Sequence, residues 1–301
     1  MADQARLSHG RIPPEAMFPA GDSRFRTFYL PLAVRGRTIM VRAVDCGDPT
    51  ASTVAVCVHG WACSVYSYRF LMPLLADMGI RSVAIDLPGH GLSDKPDEVE
   101  WYSLDAQTES VIAAMDAMHV DRAILVGHSM GGPICARAAV LAPDRVSALA
   151  LLAPVGFGTE PEVWVLRTLT PRLIAPALPE LVRRWMFAMV LNRAYGTRYR
   201  PTEQDVDEYW APTQFPHFIH AMWDILHIFE WSAGEDCGFG GITAPTVILD
   251  GRKDNLVIRK WVRRYAEALK HASMTAIEDC GHVVPEEAPE LVADAIRRLT
   301  G

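Results

Sequence analysis

Apolar residues in this chain fall in short runs that alternate with amphipathic stretches. Residues 53–58, 81–85, 124–126, 145–153, 245–249 and 274–277 are such runs, as expected for strands covered on both faces. Between and after them lie helical patterns at 65–78, 103–118, 258–270 and 286–299. Ser103 is a good N-cap ahead of a stripe formed by Leu104, Val111, Ile112 and Met115. Residues 25–34 and 38–45, separated by Gly36, alternate in part and read as an opening antiparallel hairpin. The strand–helix alternation predicts the α/β class, with a mostly parallel sheet of about eight strands flanked by helices. Residues 1–22 are polar, rich in Pro and Gly, and read as a loosely held leader.

The alternation breaks at about residue 156. From there to about residue 240 the chain holds five of its eight tryptophans, with helical periodicity at 178–192 and 216–231. This reads as a helical cap inserted after strand six, leaving a core made of 23–155 and 241–301. Most of its aromatics are expected to form the cap's own interior. A few should line a pocket against the sheet. Trp164, Trp185, Met222 and His220 are the candidates from the cap, and Trp61 and Val283 those from the core.

Composition narrows the function classes. The 301 residues are 50% hydrophobic and 22% charged, with 29 basic against 36 acidic residues and a formal net charge of −7. No dense Lys/Arg run occurs, so nucleic-acid binding has no electrostatic basis. The six cysteines are scattered without a CxxC pair, a pattern that suits free thiols in a reducing, cytoplasmic setting. The N-terminus lacks the apolar core of a signal peptide. No apolar run approaches the ~18 residues of a membrane span. His217, His220 and His227 lie near Asp224, but in no recognised ligand spacing, and the reading includes neither metal nor cofactor.

The chemistry concentrates in residues 123–139. Gly127-His128-Ser129-Met130-Gly131 fits G-x-S-x-G between an apolar strand and a small-residue helix. The serine backbone of such a turn is strained, so the residues two before and two after it must be small. The helix N-terminus behind the turn favours negative charge. A serine hydroxyl needs a base, and that base needs an orienting acid. His282, after the last strand, satisfies the first need. Asp250 and Asp254 both satisfy the second by position; Asp254 is favoured because it lies on the loop beyond the strand, whereas Asp250 is close enough to the strand to serve the turn. His59-Gly60-Trp61 ends the 53–58 strand, where one backbone donor for an oxyanion is expected: Trp61 N–H, with Met130 N–H as the second. His59 itself reads as a structural hydrogen-bonding residue.

Together, GHSMGG, HGW, DLPGHGLSD, GRKD and GHVVPEEAPE resemble the α/β-hydrolase superfamily from about residue 25 to the C-terminus. The resemblance implies Ser129 as nucleophile, His282 as base, Asp254 as orienting acid, and acyl transfer through an acyl-serine. Haloalkane dehalogenases and epoxide hydrolases carry aspartate where this chain has Ser129. Proline iminopeptidase-like members show tryptophan where it has Met130. Carbon–carbon bond hydrolases of aromatic degradation resemble the SMGG segment, but have asparagine and tryptophan where it has His128 and Val283. The expected activity is hydrolysis of an apolar small-molecule ester or lactone, by a monomer or homodimer. The alternatives are a carbon–carbon bond hydrolase, a cofactor-free perhydrolase or haloperoxidase, and a non-catalytic ligand-binding or biosynthetic accessory protein on the same fold.

Overall fold

The structure is a computed structural model that describes residues 12–234 and 236–300. Its strands are β1 (Phe25–Val34), β2 (Arg37–Cys46), β3 (Val54–Val58), β4 (Arg81–Ile85), β5 (Ala123–His128), β6 (Val146–Leu152), β7 (Thr246–Gly251) and β8 (Ala272–Ile277). They form one sheet in the order β1-β2-β4-β3-β5-β6-β7-β8. The β1–β2 hairpin is antiparallel and joins the sheet antiparallel to β4, while β3 to β8 run parallel. The strands read as unbroken apolar runs because alternate residues feed opposite cores. Val56, Val58, Leu125, Leu149 and Leu151 point into one. Ala55, Cys57, Ile124, Val126, Ala150 and Leu152 point into the other.

The helices are α1 (Leu71–Asp77), α2 (Leu104–Ala117), α3 (Gly131–Leu141), α4 (Pro161–Leu169), α5 (Leu178–Leu181), α6 (Arg184–Ala194), α7 (Glu203–Trp210), α8 (Phe218–Ile228), α9 (Arg259–Ala268), α10 (Val284–Glu287) and α11 (Pro289–Arg297). α2, α3 and α9 contribute to the first core, α1 and α11 to the second. Helices α4 to α8 all lie between β6 and β7. None of the described helices is long and apolar enough to cross a membrane.

Several boundaries differ from the sequence reading, each for a local reason. The helix expected over 65–78 divides into a 3-10 turn, Val65–Tyr68, and α1; Ser64 caps the turn and Asp86 takes the Val65 N–H. The last helix breaks at Ala288, which leaves the helical region (φ −138°, ψ 46°) just before Pro289, a position where the helical conformation is disfavoured. The 178–192 pattern breaks where Val182 and Arg183 turn extended. The leader needs a larger correction. Residues 1–11 lie outside the described residues, but 12–22 are tied down: Met17 is buried, the Phe18 ring packs on Phe25 and Tyr66, and Phe18 N–H donates to the buried Glu208 at 2.8 Å.

Three glycines let α3 press against the sheet. A Cβ at Gly131 would lie 2.0 Å from the Val58 carbonyl oxygen, one at Gly127 would lie 2.3 Å from the Gly131 oxygen, and one at Gly132 would lie 2.5 Å from Pro154 Cβ. The first two obstacles are main chain and cannot step aside. Gly131→Ala is therefore expected to lose about 1–3 kcal/mol of stability or more, measured as a drop in the chemical-denaturation midpoint. An unchanged midpoint would contradict this packing.

Candidate active site

β5 ends at His128, and Ser129 follows at φ 53°, in the left-handed region that non-glycine residues seldom occupy. Main-chain bonds hold it there: Ser129 N–H donates to the Leu152 carbonyl at 2.9 Å, and its own carbonyl accepts from Gly132 N–H at 2.9 Å. The strained turn lifts the side chain off the sheet edge at the head of α3. Ser129 is only 9% exposed and His282 7%, so both sit in a nearly closed space.

The loop after β7 carries Asp254 and the loop after β8 carries His282. Asp254 Oδ2 lies 2.8 Å from His282 Nδ1, and both side chains are buried. Asp254 Oδ1 accepts the N–H groups of Leu256 at 2.7 Å and Val257 at 2.9 Å, which fixes the carboxylate plane. Burial alone would push the Asp254 pKa up; the adjacent imidazole and these donors outweigh it and hold the group below the ordinary carboxylate value. For His282, burial opposes the charged ring, but the Asp254 carboxylate wins and raises its pKa above 6.5. The carboxylate at Nδ1 selects the tautomer with its proton there, leaving Nε2 free to accept one. Asp250 takes a different partner: its Oδ2 meets Arg259 Nε at 2.6 Å. Of the two aspartates, Asp254, the one favoured by position, lies within hydrogen-bond distance of His282, and Asp250 pairs with Arg259.

The His59-Gly60-Trp61 turn runs beside the serine. A Cβ on Gly60 would lie 3.0 Å from Ser129 Cβ, so only glycine brings the main chain this close. Among the described residues, neither Trp61 N–H nor Met130 N–H donates a hydrogen bond. His59 is structural: its Nε2 accepts Leu87 N–H at 3.1 Å. Asp86 anchors the next loop, pairing with buried Arg42 at 2.8 Å and accepting Val65 N–H and Leu92 N–H, each at 2.8 Å.

Of the expected pocket residues, Met222 is buried and its carbonyl accepts the Trp61 indole N–H at 3.1 Å, joining the His59-Gly60-Trp61 turn to α8. Val283 is buried in a small apolar cluster with Tyr66, Leu191, Tyr195, Val206 and Tyr209. His220 is half-buried and faces Asp224. Trp164 and Trp185 are 65% and 63% exposed, so the structure does not gather them with the buried residues.

Several residues around the site were not singled out in the sequence. His128 Nε2 lies 2.9 Å from the His282 carbonyl; burial, with His282 beside it, pushes its pKa down to about 3, so it stays neutral and donates. Glu287 Oε1 accepts Gly281 N–H and its Oε2 accepts Gly196 N–H, each at 2.8 Å. His282 N–H donates to the Ala194 carbonyl at 2.7 Å. The His282 loop is therefore fastened to the end of α6. Glu286 accepts from Tyr195 OH at 2.6 Å and from Tyr209 OH, and pairs with Arg69, which also meets Asp205 at 2.6 Å. Apart from the Glu287–Gly281 bond, which spans six residues, each contact joins segments far apart in sequence, so no local pattern marks it.

A family model described as alpha/beta hydrolase fold matches residues 54–289. The uncharacterised hydrolase YugF of Bacillus subtilis is 29% identical over 250 residues, covering 80% of this chain and 87% of YugF. The dihydrolipoyllysine-residue acetyltransferase component of the acetoin cleaving system of Pseudomonas putida is 42% identical over 250 residues; the match covers 80% of this chain and 61% of that protein. Among solved structures, the 2-hydroxy-6-oxo-6-phenylhexa-2,4-dienoate hydrolase of Rhodococcus sp. strain RHA1 superposes with a TM-score of 0.73 at 21% identity, over 92% of this chain and 99% of that one. This last likeness is one of fold. The sheet order, the serine turn after β5 and the matched span agree, and this chain belongs to the α/β-hydrolase fold family.

Proposed function

We propose that this hydrolase-fold protein is a serine hydrolase of carboxylic esters or lactones with an apolar acyl or alcohol group. Ser129 is the nucleophile, His282 the base, Asp254 its orienting acid, and the N–H groups of Trp61 and Met130 the oxyanion hole. The segment 156–240 is the cap, and its contacts with Trp61 and with the His282 loop support that reading. The observation that carries the proposal is the buried 2.8 Å contact between Asp254 and His282 at the same sheet edge as the strained Ser129.

Ser129 Oγ attacks the acyl carbon while its proton passes to His282 Nε2. The carbonyl electron pair moves to oxygen, and the two N–H groups stabilise the resulting oxyanion. Collapse expels the alkoxide, which takes the proton from His282, and leaves an acyl-serine. Water then gives a proton to Nε2 and attacks the acyl carbon. The second collapse returns that proton to Ser129 Oγ and releases the acid. A serine at the elbow makes the first adduct an ester that water can cleave, which suits acyl substrates. Haloalkane and epoxide chemistry on this fold resembles an aspartate-nucleophile pattern, which Ser129 does not match.

A series of p-nitrophenyl esters and a simple alkyl lactone tests the reading: turnover of either supports it, and no turnover of any contradicts it. The pH dependence is a further expectation. The base works only when neutral, and Asp254 raises its pKa above 6.5. The kcat/KM profile should therefore fall on the acid side with a midpoint above about 6.5. A midpoint at or below that value would remove His282 as the base.

A further inference from the structure

Glu160 is the last residue before α4, and its side chain is buried although it pairs with no basic group among the described residues. Its Oε2 accepts Ile258 N–H at 2.9 Å. Its Oε1 is buried without a hydrogen-bond partner among the described residues. A cap of this kind could be made by any small polar side chain in partial contact with water. A carboxylate withdrawn from water, half of it unpaired, is costly unless something nearby uses its charge.

The surroundings show what that use is. Asp254 Oδ1 holds the N–H groups of Leu256 and Val257, and Glu160 holds the next one, on Ile258. Three successive N–H groups of one turn are thus taken by two carboxylates, one being the proposed acid itself. The groups that face Glu160 are Asp254 from the loop after β7 and His282 from the loop after β8, with Glu162 on its own helix. Around His282 the remaining titratable neighbours are Glu287 of α10 and the neutral His128 of β5, whose ring centre is 4.9 Å away.

We propose that Glu160 is a positioning residue of the acid–base pair: it clamps the turn that carries Asp254 to the first inserted helix, and its carboxylate joins that of Asp254 in stabilising the imidazolium that forms on His282. The neighbouring charges support this arrangement. Burial raises the Glu160 pKa to about 7, and its negative charge in turn favours the protonated ring of His282. Above pH 7 the ion is present; below it, the turn keeps its acceptor but His282 loses one of the negative charges that favour its protonated ring.

This inference rests on the reading of Ser129, His282 and Asp254 given above, so its test must not depend on turnover alone. Glu160→Gln keeps an acceptor for Ile258 N–H and removes the charge. The ring of His282, followed by ¹⁵N NMR in the substrate-free protein, should then titrate at a pH lower by about half a unit or more. A purely structural cap would leave that midpoint where it is, and an unchanged midpoint overturns the inference. Ile258→Pro is the complementary change. Ile258 has φ −69°, which proline adopts, and the substitution removes the N–H without touching the carboxylate. Here turnover should drop roughly 3- to 30-fold as the Asp254 turn loosens; unaltered turnover would overturn the positioning role. If no ester is turned over at all, the NMR arm still decides about Glu160, and only the esterase reading is lost.

Discussion

Ser129→Ala is expected to lower ester turnover by about 10⁴- to 10⁶-fold while leaving the fold intact. The alanine removes the only atom that bonds covalently to the substrate. It keeps the Ser129 N–H bond to Leu152 and the Gly132 N–H bond to the residue 129 carbonyl, which are the contacts that hold the turn. What remains is the oxyanion hole and binding, which by themselves give a small residual rate. Thermal denaturation should accordingly show a native-like midpoint, and even a rise is consistent, because the strained turn no longer has to present a hydroxyl in a nearly closed space. If variant and wild type turned over alike across acyl chain lengths, the hydrolysis would belong to another site or to a contaminant.

Asp254→Asn should cost about 10⁴-fold in kcat, with KM little changed. The amide can place its NH₂ against His282 Nδ1, which then has to accept and so carries its proton on Nε2, the atom that must be bare. Removing the negative charge also takes away the largest influence raising the His282 pKa. Asp250→Asn is the matched control. It loses the 2.6 Å ion pair with Arg259, a partly exposed residue at the start of α9, and touches no member of the catalytic group. Kinetics on the two variants should separate them by orders of magnitude. Equal losses would return the choice of acid to where position alone left it.

How much of this was legible in the sequence follows from what kind of contact carried each feature. The sheet was, since strands covered on both faces leave continuous apolar runs, and β3, β5 and β6 supply residues to both cores. The serine turn was, because Gly127 and Gly131 answer to a local constraint whose obstacles lie within a few residues or on the adjacent strand. The break at Ala288 and helix α7 are absent from the sequence reading, which carries one helix over 286–299 and none over 203–210, although Pro289 and the Thr202–Asp205 capping box stand at those places. Trp164 and Trp185 were chosen for size and position, and a sequence does not say toward which side of a lightly packed helix a large ring points. The contacts of Glu160, Glu287 and His128 were invisible for a different reason. Each residue acts through main-chain groups 91 or more residues away, or in the case of Gly281 through a turn whose course only the fold sets. Their side chains carry no spacing that a reader could match.

The most direct test of the central claim is covalent trapping. The oxygen of a serine whose proton a base is ready to take attacks the phosphorus of a fluorophosphonate probe and expels fluoride, so labelling reports the activated nucleophile without any assumption about the natural substrate. After digestion, mass spectrometry should place one adduct on Ser129, and the adduct should disappear in His282→Ala. An adduct on another residue, or labelling of Ser129 that persists when His282 is gone, would contradict the account.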